Sequence, residues 1–397
     1  MAKRDLNTVF KTLLLQFLGE ADPLLSMLQW VTQQLMEIEA SNKVGAEKGR
    51  HSTERKTYFS GYRVRRFDTR LGTAYLCIPK LRNGGYVPFF VVERKRSEQA
   101  LIQVVQEAFV NGVSTRKIER LAKALGIEGM SASQVSEINK GLDEQVERFR
   151  TRQLESEYPV LWIDALYEKI RRNGRVVNAA VMLVTGINAT GTREILAIQP
   201  MEVESEENYT LLFKQLKARG LQRAWMVVSD AHLGIQAAVR KNFLGASWQR
   251  CKVHFMRNIM AHVNQRDKRA VATKLKQIWQ QADRKSAIRM ARIFIGEFQN
   301  KYPLAIETLR EGLEDSLQFF ALEEFDPKKI SSTNMHERLN KEIRRRSRVV
   351  GIFPSDESYV RLVTSYLIEY SEEWSVGRSY IKAESIDRCR ARIGAAA

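Results

Sequence analysis

The sequence predicts an α/β domain interrupted by an all-helical stretch and preceded by a helical and β-hairpin region. Three observations predict it. Between residues 151 and 254, apolar strand-like runs and helical runs follow one another in the order β-β-β-α-β-α-β, the pattern of an α/β sheet. From 255 to 330 the apolar residues, among them Ile278, Trp279, Ile288, Ala291, Ile295 and Phe298, recur at helical spacing with no strand between them. Ahead of both lies a basic, aromatic-rich stretch followed by short helices punctuated by glycine.

The chain has 397 residues, which at ~150 residues per domain suggests two to three domains. Its 64 Lys and Arg against 46 Asp and Glu give a net charge of +18. Such an excess favours a polyanionic partner, nucleic acid before an anionic membrane surface. Hydrophobic residues make up 44% of the chain, enough for large cores and too many for global disorder. Cys77, Cys251 and Cys389 are far apart and odd in number, so no disulfide framework is implied and a reducing cytoplasm is expected. No apolar run reaches the ~18–20 residues of a membrane span. The Leu13–Leu15 run is flanked by Lys11 and Glu20 and reads as part of an amphipathic helix rather than a signal peptide.

Taken in order, residues 1–42 form an N-terminal helical region, with Val9, Leu13, Phe17, Leu28, Val31 and Leu35 at helical spacing over 4–40. Residues 43–150 form a candidate DNA-binding region. Within it, Thr73–Pro79 and Tyr86–Val92 read as the strands of a hairpin around Asn83-Gly84-Gly85. Ser97 can cap a helix to about Asn111, Thr115–Leu125 form a second, and Ser131 caps a third through Leu142. Helix, glycine turn, helix is the helix-turn-helix pattern, and a groove helix starting at Ser131 would expose Ser133, Gln134 and Ser136. Residues 151–254 are the first part of the α/β domain, 255–330 the helical interruption, and 331–375 its final helices. The tail 376–397 shows little pattern after Ala383 and reads as loose.

The chemistry concentrates at a few acids. Asp164 follows Leu161-Trp162-Ile163, and Asp230 follows Met226-Val227-Val228-Ser229. Each stands where an apolar strand is read to stop, a costly place for an unpaired charge. Two such carboxylates on neighbouring strands make a hard-oxygen site for Mg²⁺, with Mn²⁺ able to substitute. Two such ions can activate a nucleophile and stabilise a leaving oxygen in phosphodiester chemistry. Either Asp alone would read as a loop or helix cap. A third carboxylate is expected in Ser332–Arg346, where Glu337, Asn340 and Arg344 share one helix face. Glu342 lies about 140° around that helix from Glu337, so both cannot face one metal site. Cys251 and His254 form a C-x-x-H pair. With His262 as a third ligand at best, a four-ligand zinc site is not assembled, and a site-supporting role fits better. His232, two residues after Asp230, is placed either to touch substrate or to pack.

The segments Asp164–Lys169, Val228–Gly234, Cys251-x-x-His254 and Thr333-Asn334-x-x-Glu337-Arg338-x-Asn340 resemble the Mutator-type transposases of bacterial insertion sequences. So do Asp68–Thr73, Ile78–Arg82 and Gly112–Arg116 upstream, and the likeness covers roughly 55 to 375. The resemblance implies a DDE transposase with an RNase H-like core. Asp164, Asp230 and Glu337 would be its metal-binding and catalytic triad with two Mg²⁺ ions, and 255–330 the helical insertion between the second and third acids. Glu337, not Glu342, stands in the motif position. His232, Cys251, His254 and Asn340 would support the site.

The resemblance further implies binding of the element's terminal inverted repeats and target DNA by the N-terminal part. It also implies copy-out, paste-in movement through a circular intermediate. Candidate DNA contacts are Arg63, Arg65, Arg66, Arg70, Lys80 and Arg82 around the hairpin. Arg116, Ser133 and Gln134 join them from the helices, and Arg338 and Arg344 beside the site. Joining two element ends calls for a homodimer or larger assembly on double-stranded DNA, in the bacterial cytoplasm with the nucleoid. No membrane or small-molecule substrate is expected. Two other readings remain open at this point: a structure-specific nuclease or resolvase on the same fold, and a non-catalytic helix-turn-helix repressor.

Overall fold

The computed structural model describes residues 15–50, 52–69, 72–83, 85–124 and 130–396. The chain divides into two compact units, residues up to Val104 with Ala122–Gly129, and Val105–Leu121 with Met130 onward. In the first unit, helix α1 (Pro23–Val44) starts where the Asp22 carboxylate accepts the Leu25 N–H at 3.1 Å. It ends at Gly45, whose φ of +77° suits glycine. The helical reading of 4–40 therefore holds for its later part, while 1–14 lie outside the described residues.

Helix α1 packs on an antiparallel hairpin, β1 (Phe59–Thr69) and β2 (Gly72–Leu81). Strand β2 alternates, burying Ala74, Leu76 and Ile78 against Met36, Ala40 and Val44 of α1. Gln29 Nε2 donates to Tyr75 O at 2.9 Å. Gln33 donates to Cys77 O at 2.9 Å and accepts the Cys77 N–H at 3.2 Å. These glutamines satisfy strand groups that would otherwise form an open edge.

The hairpin is a correction to the sequence reading, which paired Thr73–Pro79 with Tyr86–Val92. The partner of β2 is the basic strand before it, with Thr69 opposite Gly72. Residues Phe89 onward instead open helix α2 (Phe89–Val110). Pro88 cannot donate within a ladder but tolerates a helix start, so the helix begins before Ser97 rather than at it.

The next helices are α3 (Thr115–Ala124), α4 (Ala132–Lys140) and α5 (Asp143–Thr151). Ser131 and Gln134 form a reciprocal capping box at the start of α4, as the sequence suggested for Ser131. The 125–129 turn required by the helix-turn-helix reading lies outside the described residues.

The β-β-β-α-β-α-β order is realised as β3 (Glu157–Arg172), β4 (Arg175–Ile187), β5 (Arg193–Met201), α6 (Glu206–Ala218), β6 (Arg223–Ser229), α7 (Leu233–Asn242) and β7 (Ser247–Arg250). The sheet order is β5-β4-β3-β6-β7. Strands β3, β4 and β5 pair antiparallel, and β6 and β7 run parallel to β3. One face packs on α6 and α7, where Leu161, Ile163 and Val227 meet Tyr209, Phe213 and Val239. The other face presents Val160, Trp162, Met226 and Val228 to the later helices.

Those helices are α8 (Lys252–Ala261), α9 (Lys268–Lys276), α10 (Arg284–Phe298), α11 (Pro303–Ser316) and the short α12 (Pro327–Ile330). Then follow α13 (Asn334–Val350), α14 (Asp356–Val376) and α15 (Ala383–Ala396). Helix α14 is tied to α5 by a bidentate pair, Arg361 to Asp143 at 2.6 and 2.8 Å.

Two further expectations are corrected. Asp164 is not where β3 stops: the strand continues to Arg172, because Leu166 and Ile170 keep burying one side while Tyr167 and Lys169 face out. What stops beyond Trp162 is the parallel pairing with β6. Nor is the tail patternless. Ile386, Cys389 and Ile393 fall at helical spacing on α15, and Ile386 and Cys389 are fully buried in the core. Among the described residues no helix is long and apolar enough to cross a membrane.

Candidate active site

The site forms where β3 and β6 part. Trp162 and Val228 are their last paired residues, and Asp164 and Asp230 each stand two residues further on. With a strand period of two, both fall on the sheet face of Trp162 and Val228. That is the face against which α13 packs: His336 Nε2 lies 2.7 Å from Thr185 Oγ1, and Thr185 pairs with Trp162. One turn on, Asn340 Nδ2 donates to Asp164 Oδ2 at 2.6 Å. Two turns beyond, Ser347 Oγ donates to Glu168 Oε1 at 2.7 Å. Helix α13 thus runs alongside β3 from His336 toward Ser347.

Burial sets the electrostatics. It pushes the Asp164 carboxyl up to about 6, opposed by His254 and the Asn340 hydrogen bond and reinforced by Asp230. Asp230 is raised too, by burial first and by Glu204 second, with His254 and His232 opposing. Among the described residues neither aspartate has a Lys or Arg ion-pair partner. Two half-buried carboxylates in the field of His254 but, among the described residues, without a Lys or Arg ion-pair partner, beside the buried and unpartnered Oδ1 of Asn340, form an oxygen-rich donor set suited to a hard divalent ion. Among the described residues, however, no three His, Cys, Asp or Glu side chains already converge at metal-binding range. The structure therefore brings Asp164 and Asp230 together and places Glu337, exposed, on α13 one turn before Asn340.

Glu342 is engaged elsewhere, 2.9 Å from Arg346 Nη1 and 3.2 Å from Arg345 Nε. Arg346 in turn donates to Val110 O at 3.2 Å and lies 3.6 Å over the Tyr366 ring.

The C-x-x-H pair borders the same site. The Cys251 N–H donates to Ser229 O at 2.7 Å, just before Asp230. Its Sγ lies 3.4 Å from Thr333 Oγ1 and accepts the Thr333 N–H at 3.3 Å, tying β7 to the start of α13. The imidazole of His254 is raised by the neighbouring thiol of Cys251, burial opposing, with both aspartates adding to the rise. His232 accepts the Gly234 N–H at 3.2 Å, capping α7, and its ring lies 5.8 Å from that of Tyr209.

Sequence reasoning missed Glu204. It accepts hydrogen bonds from the hydroxyls of Tyr167 and Tyr209 and bears on Asp230. It hid in the run Glu202–Glu207, which reads as a solvated charge cluster. The usable signal was Ser205, which caps α6 and so fixes the residue before it at a helix start beside the sheet.

The candidate DNA contacts separate. Arg63, Arg65, Arg66, Lys80 and Arg82 are exposed around the hairpin of the first unit, with Arg63 donating to Tyr86 O at 3.1 Å. Arg70 lies outside the described residues. Gln134 is committed to the α4 capping box, its Oε1 accepting the Ser131 N–H at 2.8 Å. Arg116 and Ser133 line a cavity of about 610 Å³ shared with Asn139 and Arg346. Arg338 and Arg344 are exposed on α13, and Arg344 faces the field of Glu168.

Comparison with known proteins gives the lineage. A family model described as Transposase, Mutator family, matches residues 3–377. The chain is 42% identical to the transposase for insertion sequence element IS1081 of Mycobacterium tuberculosis, over 96% of this chain and 93% of the relative. It is 37% identical to the transposase for ISRM5 of Rhizobium meliloti, over 93% of each chain. With the transposase for IS256 in transposon Tn4001 of Staphylococcus aureus the identity is 36%, over 90% and 92%. The chain is a transposase enzyme, and within that class it belongs to the Mutator family.

Proposed function

We propose that this transposase is a DDE enzyme whose triad is Asp164, Asp230 and Glu337, set on an RNase H-like core. The observation that carries the reading is the juxtaposition of two half-buried carboxylates, one bonded at 2.6 Å to Asn340 on the helix that also bears Glu337. The sheet order, with three antiparallel strands followed by two parallel ones, supports the RNase H-like reading. In it, 151–254 and 331–375 make the core and 255–330 the helical insertion. Residues 43–150 bind the terminal inverted repeats, and the N-terminal helices and the tail complete the chain. The protein works in the cytoplasm with the nucleoid, as a dimer or larger assembly on double-stranded DNA.

The three carboxylates would hold two Mg²⁺ ions, or Mn²⁺, which when bound neutralise phosphate charge and lower the pKa of water. Asn340 holds Asp164 in one orientation. Glu337 is the acid on this helix free to join the aspartates, since Glu342 is paired with two arginines. Arg338 and Arg344 grip backbone phosphates beside the site. The oxygen of water bonds to phosphorus at the element's end, and the 3′ oxygen leaves and is protonated. The resulting 3′-hydroxyl then attacks a second phosphodiester, displacing a second 3′ oxygen, with no covalent protein intermediate. Movement then follows a copy-out, paste-in route through a circular intermediate.

The test is a reaction of purified protein and Mg²⁺ with labelled DNA carrying the flanking element's own ends. Asp164→Asn, Asp230→Asn and Glu337→Gln should abolish cleaved and joined products, while Glu342→Gln retains them. Cleavage without joining would instead indicate a nuclease. Binding with no metal-dependent chemistry would indicate a repressor.

A further inference from the structure

Beside the candidate active site lies a groove whose lysines, among the described residues, make no ion pair. It is formed by α8, the 3₁₀ turn Gln277–Gln280 and the segment from Asp326 to Asn334, and encloses about 690 Å³. Lys252, Lys276 and Lys328 line it together with Trp279, and among the described residues Asp326 is the one carboxylate in its wall. Among the described residues none of the three ammonium groups makes an ion pair or a side-chain hydrogen bond. Asp326 is committed as a helix cap, its Oδ1 accepting the Lys328 N–H at 2.9 Å.

Lys252 is the least exposed of the three. Burial draws its ammonium below the ordinary lysine range and Lys328 adds to that, with Cys251 and Asp326 opposing. A cation withdrawn from water without a partner is costly, and an incoming anion removes that cost. The helix end adds to the field. Thr333 places its hydroxyl against Cys251 Sγ and makes no capping hydrogen bond, so no side chain closes the start of the 17-residue α13 at Asn334, which lines the groove.

The groove also has a defined place. Lys252 sits between Cys251 and His254 in sequence, and Asn334 is one turn before Glu337. We propose that it binds the sugar-phosphate backbone of the DNA strand next to the scissile phosphodiester, with Lys252, Lys276 and Lys328 each neutralising a phosphate. This assignment rests on the active-site reading above, because that reading places the scissile bond at Asp164 and Asp230.

The test compares the full chain with Lys252→Gln, Lys276→Gln, Lys328→Gln and the triple variant, binding a fluorescent single-stranded oligothymidylate over a range of salt. Each lost phosphate contact should reduce the slope of log affinity against log salt by about 0.7, so the triple variant should lose about 2 in slope. A 4-thiothymidine probe should crosslink to Met256 or Trp279 in the parent chain and not in the triple variant. An unchanged slope and unchanged crosslinking, in a triple variant that melts like the parent, would overturn the proposal. Should Lys252→Gln not fold, the exposed pair Lys276→Gln/Lys328→Gln must still lower the slope, and an unchanged slope there is equally fatal. The two readings fail separately. Cleavage lost in the carboxylate variants with probe binding unchanged in the lysine variants removes the groove alone. A slope lowered by the lysine changes, with cleavage surviving Asp164→Asn, removes the active-site assignment and leaves an anion-binding groove.

Discussion

The hydrogen bond from Asn340 to Asp164 spans 176 residues of sequence and 2.6 Å of space. It fixes one carboxylate oxygen of Asp164, the job of a group that orients a ligand rather than reacts. Loss of such orienting partners costs 10–100-fold in metal affinity or activity. Asn340→Ala should therefore lower metal-dependent cleavage about 10–100-fold while leaving the melting temperature nearly unchanged, checked by gel assay and thermal melts on the same preparation. A drop in stability equal to the drop in activity would make Asn340 a packing residue instead. The meeting of Asp164 and Asp230, with Glu337 and Asn340 on one helix, was legible in the sequence because the aspartates follow apolar strand runs and the other two stand three apart in a helical stretch. Glu204 was not legible. Its meaning comes from Tyr167 on one strand and Tyr209 on a helix converging on it, and no local pattern encodes that meeting.

At the level of elements, the strands were legible where burial forces a pattern. Strand β6 is apolar from Ala224 to Val228 because it is covered on both faces. The hairpin partner was misread because β1 is exposed along most of its length and so shows no buried alternation for the sequence to reveal. Helix α15 was missed because three apolar residues among arginines make a narrow stripe. Its importance lies in what it covers. Ile386 is fully buried, Arg392 reaches Glu323 at 2.8 Å, and the Tyr380 and Ile381 N–H groups donate to Gly191 O. Ile386→Ala should cost about 2–5 kcal/mol of stability in urea denaturation, the range for emptying a packed aliphatic site. Gly191 stands at φ +82°, and a Cβ there would meet Ile381 O at 1.8 Å. Gly191→Ala should thus destabilise by about 1–3 kcal/mol from backbone strain alone, with the clash in addition. A loose tail would leave Ile386→Ala as stable as the parent and Gly191→Ala with the strain cost alone.

For the whole molecule, the +18 charge and the half-buried aspartates make separable demands, one on binding and one on chemistry. Charge acts through phosphates and their released counter-ions, so log affinity for duplex DNA should fall linearly with log salt, by about 0.9 per phosphate neutralised. The aspartates do not enter that sum. Their mutual repulsion and burial oppose a bare charged state, and a divalent ion relieves both. Chelation should therefore leave the salt-dependent binding of the element's ends intact while cleavage stops, and added Mg²⁺ or Mn²⁺ should restore cleavage without changing the salt slope. Binding measured by anisotropy and cleavage by gel, on one preparation, read the two demands independently. Cleavage that persists after exhaustive chelation would detach the chemistry from Asp164 and Asp230. Binding that collapses with the metal would mean that the ion, rather than the basic surface, holds the DNA, and the positive charge of the chain would then need another explanation.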